Sequence, residues 1–261
     1  MDRVFYLLLR LAYEKVYGRQ HMLHYPIYDG SSQDLFEGQV NFTKHCLSAL
    51  PSITGKRVLD IGCGNGVQTI YIHQTYRPAY IRGVDINEMH IRLAAREKAR
   101  RGLYNIDFGV DNAQLLSSVT DSSYDVVICT ESAHHYPDKE AFLKQVARVL
   151  RPNGYFLLAE LLRRDDKSPS RFEKKLTLFY WPGPKYRETL SALKLVFVKD
   201  EDITNLILPA FAKADGWFNR PDPKKGLSSY LGRIFGRGLI RLYTHQLTHS
   251  LQYELMLCQK A

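Results

Sequence analysis

Cysteine is scarce in this chain of 261 residues. The four cysteines lie far apart, at Cys46, Cys63, Cys129 and Cys258. None belongs to a Cys-x-x-Cys pair, so neither a zinc knuckle nor a disulfide framework is indicated. We therefore predict no metal site and, as the default, a reducing compartment. Long apolar runs are also lacking, because the run Val4–Leu9 stops at Arg10 and is too short to cross a bilayer.

Acidic side chains are too few to balance the basic ones: 27 Asp and Glu stand against 36 Lys and Arg, a net charge of +9. This excess favours an anionic partner, which could be nucleic acid, a phospholipid surface or an acidic substrate. Residues 1–17 are predicted to form a helix that is apolar on most of its circumference. It packs on the protein body in our first interpretation and lies on a membrane surface in the alternative. No small-residue cleavage site follows it, so we expect a cytoplasmic protein, with peripheral membrane contact as the alternative.

The chain is organised around a glycine-rich loop, Gly62–Gly66, which follows the apolar run Arg57–Ile61 and precedes a helical pattern. Strand, glycine loop and helix are how a doubly wound sheet builds a nucleotide site. The glycines are spaced GxGxG rather than the GxGxxG of a dinucleotide loop. Asp60 stands two residues before the first glycine, where a carboxylate would repel a pyrophosphate and suit an ammonium group. S-adenosylmethionine combines an ammonium with an adenosine and has no phosphate; a glycine turn without a ligand is the alternative.

Two further acids end the next two predicted strands. Asp85 stands 21 residues after Gly64, close to the spacing at which a carboxylate binds ribose hydroxyls. Asp111 ends the third strand, where it can accept a hydrogen bond from an adenine amine. Each acid alone is more typical of a turn or a helix cap. Three acids at three successive strand ends favour a cofactor site.

These motifs resemble the class I S-adenosylmethionine-dependent methyltransferases. The resemblance rests on Asp60–Gly66, Val84–Asn87, Val110–Ala113 and Phe142–Tyr155, and it spans about residues 39–160. Thr130–Pro137 resembles more narrowly the branch that acts on lipids, sterols, phenolic glycolipids and polyketides. In that branch the third acid is usually followed by Ala-Glu, whereas Asn-Ala follows here. The resemblance implies S-adenosyl-L-methionine as cofactor, with contacts at Asp60, Gly62, Cys63, Gly64, Asp85, Ile86, Asp111, Asn112 and Thr130.

After residue 34 the pattern alternates strand and helix, which is typical of a parallel sheet. The predicted strands are 56–61, 80–85, 104–109, 124–130, 154–161, 195–199 and 251–258. The predicted helices are 34–50, 66–76, 87–101 and 138–150. We therefore predict an α/β fold with a doubly wound, seven-stranded, mostly parallel sheet, the Rossmann-like methyltransferase fold. An N-terminal helical lid and a helical insertion after the fifth strand complete it.

The resemblance divides the chain into residues 1–38, an N-terminal helix and lid, and residues 39–261, the methyltransferase domain. In the resembled branch, the region before the domain folds over the cofactor. Residues 163–190 are predicted to form a helical insertion that ends at the prolines of 182–184 and caps the substrate. Its aromatic residues would wall an apolar pocket. The residues placed near the substrate are Tyr25, Tyr28, Phe179 and Trp181.

Methyl transfer from a sulfonium is an in-line displacement with a good leaving group, so positioning supplies much of the catalysis. A hydroxyl acceptor must also lose a proton, which a neutral histidine can accept near pH 7. The segment after the fourth strand supplies His134 and His135 at the carboxyl edge of the sheet, where ligands bind in such folds. His134 matches the histidine that is usual at this place in the resembled branch. Two alternatives remain: both are loop histidines bonded to backbone, or they join Asp138 in a metal site.

Glu131 is predicted to orient a loop or to contact the cofactor rather than to act as the base. The favoured function is methyl transfer to a hydroxyl of a bulky apolar small molecule, with C-methylation of a sterol-like alkene as the alternative. A nucleic-acid methyltransferase is disfavoured, because the Asn/Asp-Pro-Pro-Tyr/Phe signature is missing after the fourth strand. A non-catalytic cofactor-binding protein is the remaining alternative, against which the intact acids and glycines argue. The sequence does not specify an oligomeric state.

Overall fold

The computed structural model describes residues 21–30, 34–168, 171–175, 177–219, 237–238, 240–242 and 244–261. At residues 172, 175 and 214–219 it describes the backbone alone. The predicted helix of residues 1–17 therefore lies outside the described residues. Within the described ranges, no helix has the length and apolar character needed to cross a membrane.

Seven strands form one sheet in the order β3-β2-β1-β4-β5-β7-β6. The strands are β1 Arg57–Ile61, β2 Tyr80–Asp85, β3 Ile106–Val110, β4 Tyr124–Thr130, β5 Leu150–Arg163, β6 Leu195–Asp202 and β7 Leu251–Lys260. Adjacent strands from β3 through β5 pair in parallel, whereas β7 is antiparallel to both β5 and β6. The predicted seven-stranded, mostly parallel sheet is confirmed.

The helices follow the strands in alternation. They are α1 Leu35–Ser48, α2 Val67–Tyr76, α3 Glu88–Arg100, α4 Lys139–Val149, α5 Arg171–Lys175, α6 Gly183–Ala192 and α7 Thr204–Asn219, with a 3-10 turn at Ala133–His135. Three helices begin at a short polar cap that accepts backbone N–H groups: Asp34 for α1, Asn87 for α3 and Asp138 for α4. These caps explain why the helical patterns could be located from the sequence.

The central strands carry buried apolar residues on both faces because helices cover both faces of the sheet. Along β1, successive residues point to opposite faces, and Val58 and Leu59 are both fully buried. Val58 joins a cluster with Phe42 of α1 and Ile207 of α7. Leu59 joins the opposite cluster with Phe142 of α4. The sheet thus separates two cores, and its carboxyl edge lies between them.

The insertion after β5 differs from its prediction. The prolines of 182–184 were expected to end a helix, but Pro182 caps the start of α6 and Pro184 lies in its first turn. That part of the prediction is wrong. Proline suits a first turn because its missing N–H has no partner there and its fixed φ is already helical. The segment between Thr177 and Trp181 is instead non-helical, and it lies beside the residues that follow β4.

Phe42 offers a test of this core. It is fully buried, with its ring centroid 4.4 Å from that of His24 and 5.8 Å from that of Tyr253. We expect Phe42→Ala to lower the free energy of unfolding by about 3–5 kcal/mol, measured by urea denaturation, because it leaves a cavity. Phe36→Ala on the same helix is the control, since Phe36 is 37% exposed. Equal losses in the two variants would contradict this packing.

Candidate active site

The glycine loop lies at the carboxyl end of β1 and is held against the end of β2. Gly62 and Cys63 both donate their N–H to the carbonyl of Val84, at 2.8 and 3.1 Å. Gly62 and Gly64 have φ values of +73° and +53°, which favour glycine. A Cβ at Gly62 would overlap the Ser132 side chain, and one at Gly64 would lie 2.7 Å from Cδ1 of Leu23. Contacts with neighbouring residues of the same chain therefore require glycine at both positions, whether or not a ligand is bound.

Asp60 is buried beneath this loop. Its carboxylate accepts the hydroxyl of Thr69, on α2, at 2.6 Å. Burial raises the pKa of Asp60 to about 6, the Thr69 bond opposes the rise, and the charge of Asp85 adds to it. The acid is thus fixed by the helix that the loop introduces. Its contact with an ammonium group stays a prediction.

Asp85 joins the glycine loop to the start of α3. One carboxylate oxygen accepts the N–H of Gly64 at 3.0 Å, and the other accepts the N–H of Asn87 at 2.7 Å. The next residue, Ile86, is 69% exposed. Asp85 and Gly64, which are 21 residues apart in sequence, are therefore in direct contact. Binding of ribose by Asp85 and contact of Ile86 with a cofactor stay predictions.

Asp111 and Asn112 organise the connection after β3. The Asp111 carboxylate accepts the N–H of Asn112 at 2.8 Å and the N–H of Ser118 at 2.9 Å. The Asn112 side-chain oxygen accepts the N–H of Gln114 at 2.9 Å. Both residues therefore have local bonding roles of the kind that acids and amides take in turns. Their contacts with adenine stay predictions.

Thr130 and Cys63 complete the predicted cofactor set. The hydroxyl of Thr130, at the end of β4, donates to the side-chain oxygen of Gln68 on α2 at 3.0 Å. The Cys63 thiol is buried, and burial raises its pKa well above the usual range. The negative charges of Asp60 and Asp85 raise the pKa further. A thiol in this environment stays protonated and does not act as a nucleophile.

His134 is paired with a carboxylate that the sequence interpretation missed. Glu160, 1% exposed in β5, accepts the His134 backbone N–H at 2.9 Å and its Nδ1–H at 2.6 Å. This bond places the proton of the neutral ring on Nδ1, so Nε2 is the nitrogen that can accept a proton. The signal for Glu160 was present in the sequence as one acid within the apolar run Phe156–Leu162.

His135 has a different environment. Its Nδ1–H donates to the carbonyl of Thr177 at 3.1 Å. Burial lowers the pKa of His135 to about 3, and the charge of His134 lowers it further. The two rings lie side by side, with centroids 4.1 Å apart. His135 therefore stays neutral and ties the turn after β4 to the insertion, which matches the backbone-bonded alternative for this residue.

Glu131 links the end of β4 to the N-terminal segment. Its Oε1 accepts the N–H of Tyr25 at 2.7 Å and the hydroxyl of Tyr253 at 2.9 Å. Its φ of +47° is uncommon for a residue with a side chain, and such strain often occurs at functional sites. Burial raises the pKa of Glu131 to about 8. Through the Tyr25 bond Glu131 holds the segment that precedes α1, which agrees with one of the two roles predicted for it.

Residues 21–28 form a strap that crosses the glycine loop. Gln39 of α1 holds it by accepting the N–H of Met22 at 2.8 Å and donating to the carbonyl of His24 at 2.8 Å. Asn65 of the glycine loop donates to the carbonyl of His21 at 2.9 Å. The strap therefore contacts the loop that follows β1, and its action as a lid stays a prediction.

The four residues predicted to contact substrate separate into two groups. Tyr25 lies next to Glu131, and Phe179 donates its backbone N–H to the carbonyl of His134 at 2.7 Å. Tyr28 packs beside Gly38 and has Nζ of Lys213 3.9 Å from its ring centroid. Trp181 packs against Tyr186, with ring centroids 5.3 Å apart. Only the first two are joined by hydrogen bonds to the segment Glu131–His134.

Lys139 is a further buried group that the sequence interpretation missed. It is fully buried at the start of α4, and its Nζ donates to the carbonyls of Tyr136 and Phe179. Burial lowers the pKa of Lys139 to about 7, an effect that the charge of Glu160 opposes. The lysine thus fastens the insertion to the residues after β4. In the sequence, Lys139 is followed by Glu140 at the start of a helix, a pattern that is typical of an exposed helix start and does not predict burial.

A doubly wound sheet with a glycine loop, a carboxylate at the next strand end and a histidine–carboxylate pair defines a cofactor-binding enzyme fold. A family model described as a methyltransferase domain matches residues 53–192. The chain belongs to this methyltransferase domain family.

Two relatives show which proteins the chain is similar to. It is 40% identical over 122 residues to a fatty-acid O-methyltransferase of Mycolicibacterium smegmatis, covering 47% of this chain and 43% of the relative. It is 34% identical over 176 residues to a phthiotriol/phenolphthiotriol dimycocerosates methyltransferase of Mycobacterium tuberculosis, covering 66% and 63%. The match therefore spans less than two thirds of either relative's length.

A solved structure shares the fold. Geranyl diphosphate C-methyltransferase from Streptomyces coelicolor, in complex with S-adenosyl-L-homocysteine, superimposes with a TM-score of 0.73 at 15% identity. The superposition covers 93% of this chain and 92% of that chain. At this identity the likeness establishes the architecture.

Glu131→Gln tests the link between β4 and the strap. The amide keeps an acceptor oxygen for Tyr25 but has no charge. Because burial raises the pKa of Glu131 from 4.5 to about 8, the folded protein binds this proton more tightly than the unfolded chain does. The resulting stabilisation is present at low pH and is lost as the pH rises from about 4.5 to about 8.

We therefore expect the Tm of the wild type to fall relative to that of Glu131→Gln across this range in calorimetry. Glu140→Gln on the exposed side of α4 is the matched control, and it should follow the wild type. A constant difference between wild type and Glu131→Gln would show that Glu131 does not titrate in this interval.

Proposed function

We propose that the protein transfers a methyl group from S-adenosyl-L-methionine to an oxygen atom of a bulky apolar small molecule of lipid, phenolic or polyketide type. Family membership supports the reaction class. The names of the two relatives, a fatty-acid O-methyltransferase and a phthiotriol/phenolphthiotriol dimycocerosates methyltransferase, support the substrate class. The observation that carries the proposal is the buried His134–Glu160 pair at the carboxyl edge of the sheet.

The residues at this edge fit the cofactor by their chemistry. Asp60 and Asp85 are carboxylates at two adjacent strand ends, which suit an ammonium and a pair of ribose hydroxyls and would repel a pyrophosphate. The glycine loop presents backbone at the start of α2, where N–H groups are available. When bound there, the cofactor supplies an electrophilic methyl group on a sulfonium.

His134 has the arrangement of a general base. Glu160 takes the Nδ1–H and the backbone N–H, which fixes both the tautomer and the direction of the ring. The ring also stacks against Tyr180, with centroids 5.9 Å apart. Nε2 is then held ready to accept the proton of an acceptor hydroxyl as its oxygen attacks. His135 supports this ring by contact rather than by taking the proton.

The acceptor is proposed to lie between the strap and the insertion. Tyr25 and Phe179 are the best placed of the four predicted contacts, because each is hydrogen-bonded to the segment after β4. Tyr28 and Trp181 belong to the same proposal with weaker support. In this proposal residues 1–38 act as the lid and residues 163–190 as the substrate cap. Peripheral contact of the N-terminal helix and the basic surface with a membrane would supply apolar acceptors.

Asp85→Ala tests the cofactor site. Two hydrogen bonds to a carboxylate are worth about 1.5–3 kcal/mol each, and the variant also frees the N–H of Gly64 from its present partner. We expect the affinity for S-adenosyl-L-homocysteine to fall at least tenfold by calorimetry. Asp107→Ala is the control, because Asp107 is an exposed acid on β3 that pairs with Lys98 at 2.6 Å. Unchanged affinity in Asp85→Ala would rule out its role in binding ribose.

His134→Ala tests the base. General-base help is worth about 10²–10⁴-fold, so we expect kcat with a long-chain alcohol to fall by that factor. Affinity for S-adenosyl-L-homocysteine should stay as in the wild type, because all the proposed cofactor contacts except Thr130 lie at other strand ends, and Thr130 is bonded to Gln68 rather than to His134. A carboxylic acid of the same chain length is the matched acceptor, since it is already ionised near pH 7. Its kcat should fall far less.

Glu160→Gln should lower kcat with the alcohol in the same direction, because the amide no longer fixes the ring through a charged acceptor. His135→Ala is the neighbouring control, and it should retain more activity than His134→Ala. If His134→Ala methylates the alcohol at the wild-type rate, His134 is not the general base. Positioning of the acceptor would then account for the catalysis.

A further inference from the structure

Glu131 is an acid at the carboxyl edge of the sheet that has no cationic partner among the described residues. Its Oε1 accepts the N–H of Tyr25 and the hydroxyl of Tyr253, whereas Oε2 accepts no hydrogen bond from the part of the chain that the structure describes. The residue is partly exposed, so a ligand can approach the carboxylate. Such an acid suits a cation, because an opposite charge nearby favours its ionised form.

The strap of residues 21–28 joins the glycine loop to this acid. At one end of the strap, Leu23 packs so closely on Gly64 that a Cβ there would lie 2.7 Å from the leucine Cδ1. At the other end, Tyr25 donates its N–H to Glu131 at 2.7 Å. A ligand held by the glycine loop therefore lies beside a segment that Glu131 fastens.

The residue that follows Glu131 touches the glycine loop directly. The hydroxyl of Ser132 donates to the carbonyl of Ile61 at 3.2 Å, and a Cβ on Gly62 would overlap the Ser132 side chain. Glu131 also has a φ of +47°, an uncommon conformation that holds its side chain in this one place. The acid is thus fixed next to the loop at which the cofactor is proposed to bind.

We infer that Glu131 is a positioning residue that couples the positive charge of the bound cofactor to closure of the strap. The inference rests on the function proposed above. An ionised carboxylate accepts the N–H of Tyr25 and the hydroxyl of Tyr253 more strongly than the neutral acid does. The sulfonium of S-adenosyl-L-methionine favours the ionised form, and methyl transfer leaves a neutral thioether. The strap is therefore held more firmly before methyl transfer than after it, which favours release of the product.

The titratable groups around the Glu131 carboxylate come from the strap, α1, β5 and β7. They are Tyr25, Cys46, Glu160 and Tyr253, none of which is a cation. Burial raises the pKa of Glu131 to about 8, the charge of Glu160 adds to the rise, and the two tyrosine bonds oppose it. At pH 7 the acid is therefore mostly protonated. A cation that binds beside it lowers this pKa, so binding releases a proton.

Calorimetric titration of the full chain at pH 7 measures this proton. S-adenosyl-L-methionine and S-adenosyl-L-homocysteine are each titrated in phosphate and in Tris, because the enthalpies of ionisation of these buffers differ. We expect the sulfonium ligand to release about half a proton more than the thioether ligand in the wild type. Glu131→Gln should remove most of this difference, since the amide keeps the acceptor oxygen but does not titrate. Glu140→Gln, at an exposed acid of α4, is the control and should follow the wild type.

Hydrogen exchange of the strap gives a second measurement. In the wild type at pH 7, residues 21–28 should exchange several-fold to about tenfold more slowly with the sulfonium ligand than with the thioether ligand, because one hydrogen bond is strengthened by charge. In Glu131→Gln the two ligands should protect the strap nearly equally. Exchange of β4, which carries no strap contact before Glu131, reports whether the variant has merely lost stability.

Equal proton release by the two ligands in the wild type would overturn the inference, as would equal protection of the strap. Both comparisons use the wild type, so they stay valid if Glu131→Gln folds poorly. If the ligands bind without these differences, the proposed function is untouched and only the coupling fails. If neither ligand binds, the proposed function fails and the inference fails with it.

Discussion

The carboxylate of Glu160 lies 1% exposed at the carboxyl end of β5 and accepts three N–H groups. They belong to the His134 backbone, the His134 ring and Leu161, at 2.9, 2.6 and 2.7 Å. Burial alone raises the pKa of Glu160, but the charge of His134 and these bonds outweigh it and hold the pKa below its usual range. Removing such an acceptor would leave buried donors without a partner, which is costly. This side chain therefore anchors the turn after β4 and its histidine to β5, while His135 and Lys139 join that turn to the insertion.

Much of the fold could be predicted because its signals are local. The run Arg57–Ile61 followed by glycines predicts a strand that ends in a tight loop, and the structure places β1 at the same residues. Asn87 and Asp138 are short polar residues before helical patterns, and both cap helices. The seventh strand was predicted from its apolar and polar alternation, and it runs Leu251–Lys260. The strand order has no local signal in the sequence, and it was not predicted.

The parts of the site that were missed depend on contacts between distant residues. Glu160 is hydrogen-bonded to His134, which is 26 residues away in sequence, and Glu131 is hydrogen-bonded to Tyr25, which is 106 residues away. Nothing beside either acid in the sequence reveals its partner. The prolines at 182–184 misled the prediction for a different reason, because their local signal is ambiguous. Proline stops a helix but also suits the start of one. Only the packing of Tyr186 and Leu190 into the core decides in favour of a start.

Acidic side chains gather at the carboxyl edge of the sheet in a protein of net charge +9. They are Asp60, Asp85, Glu131 and Glu160, of which Glu131 is mostly protonated near neutral pH because burial raises its pKa to about 8. Burial raises the pKa of Asp60 and of Glu131, and the charges of Asp85 and Glu160 raise them further. In the part of the chain that the structure describes, neither Asp60 nor Glu131 forms an ion pair with Lys or Arg.

A cation that enters such a place favours the ionised form of each nearby acid, so binding and ionisation reinforce each other. An anionic pyrophosphate would instead disfavour the ionised form of each acid, so binding and ionisation would oppose each other. In the proposed function, the carboxylates at this edge therefore favour a cationic cofactor over an anionic one. The net positive charge of the whole chain favours an anionic partner, as the sequence predicts.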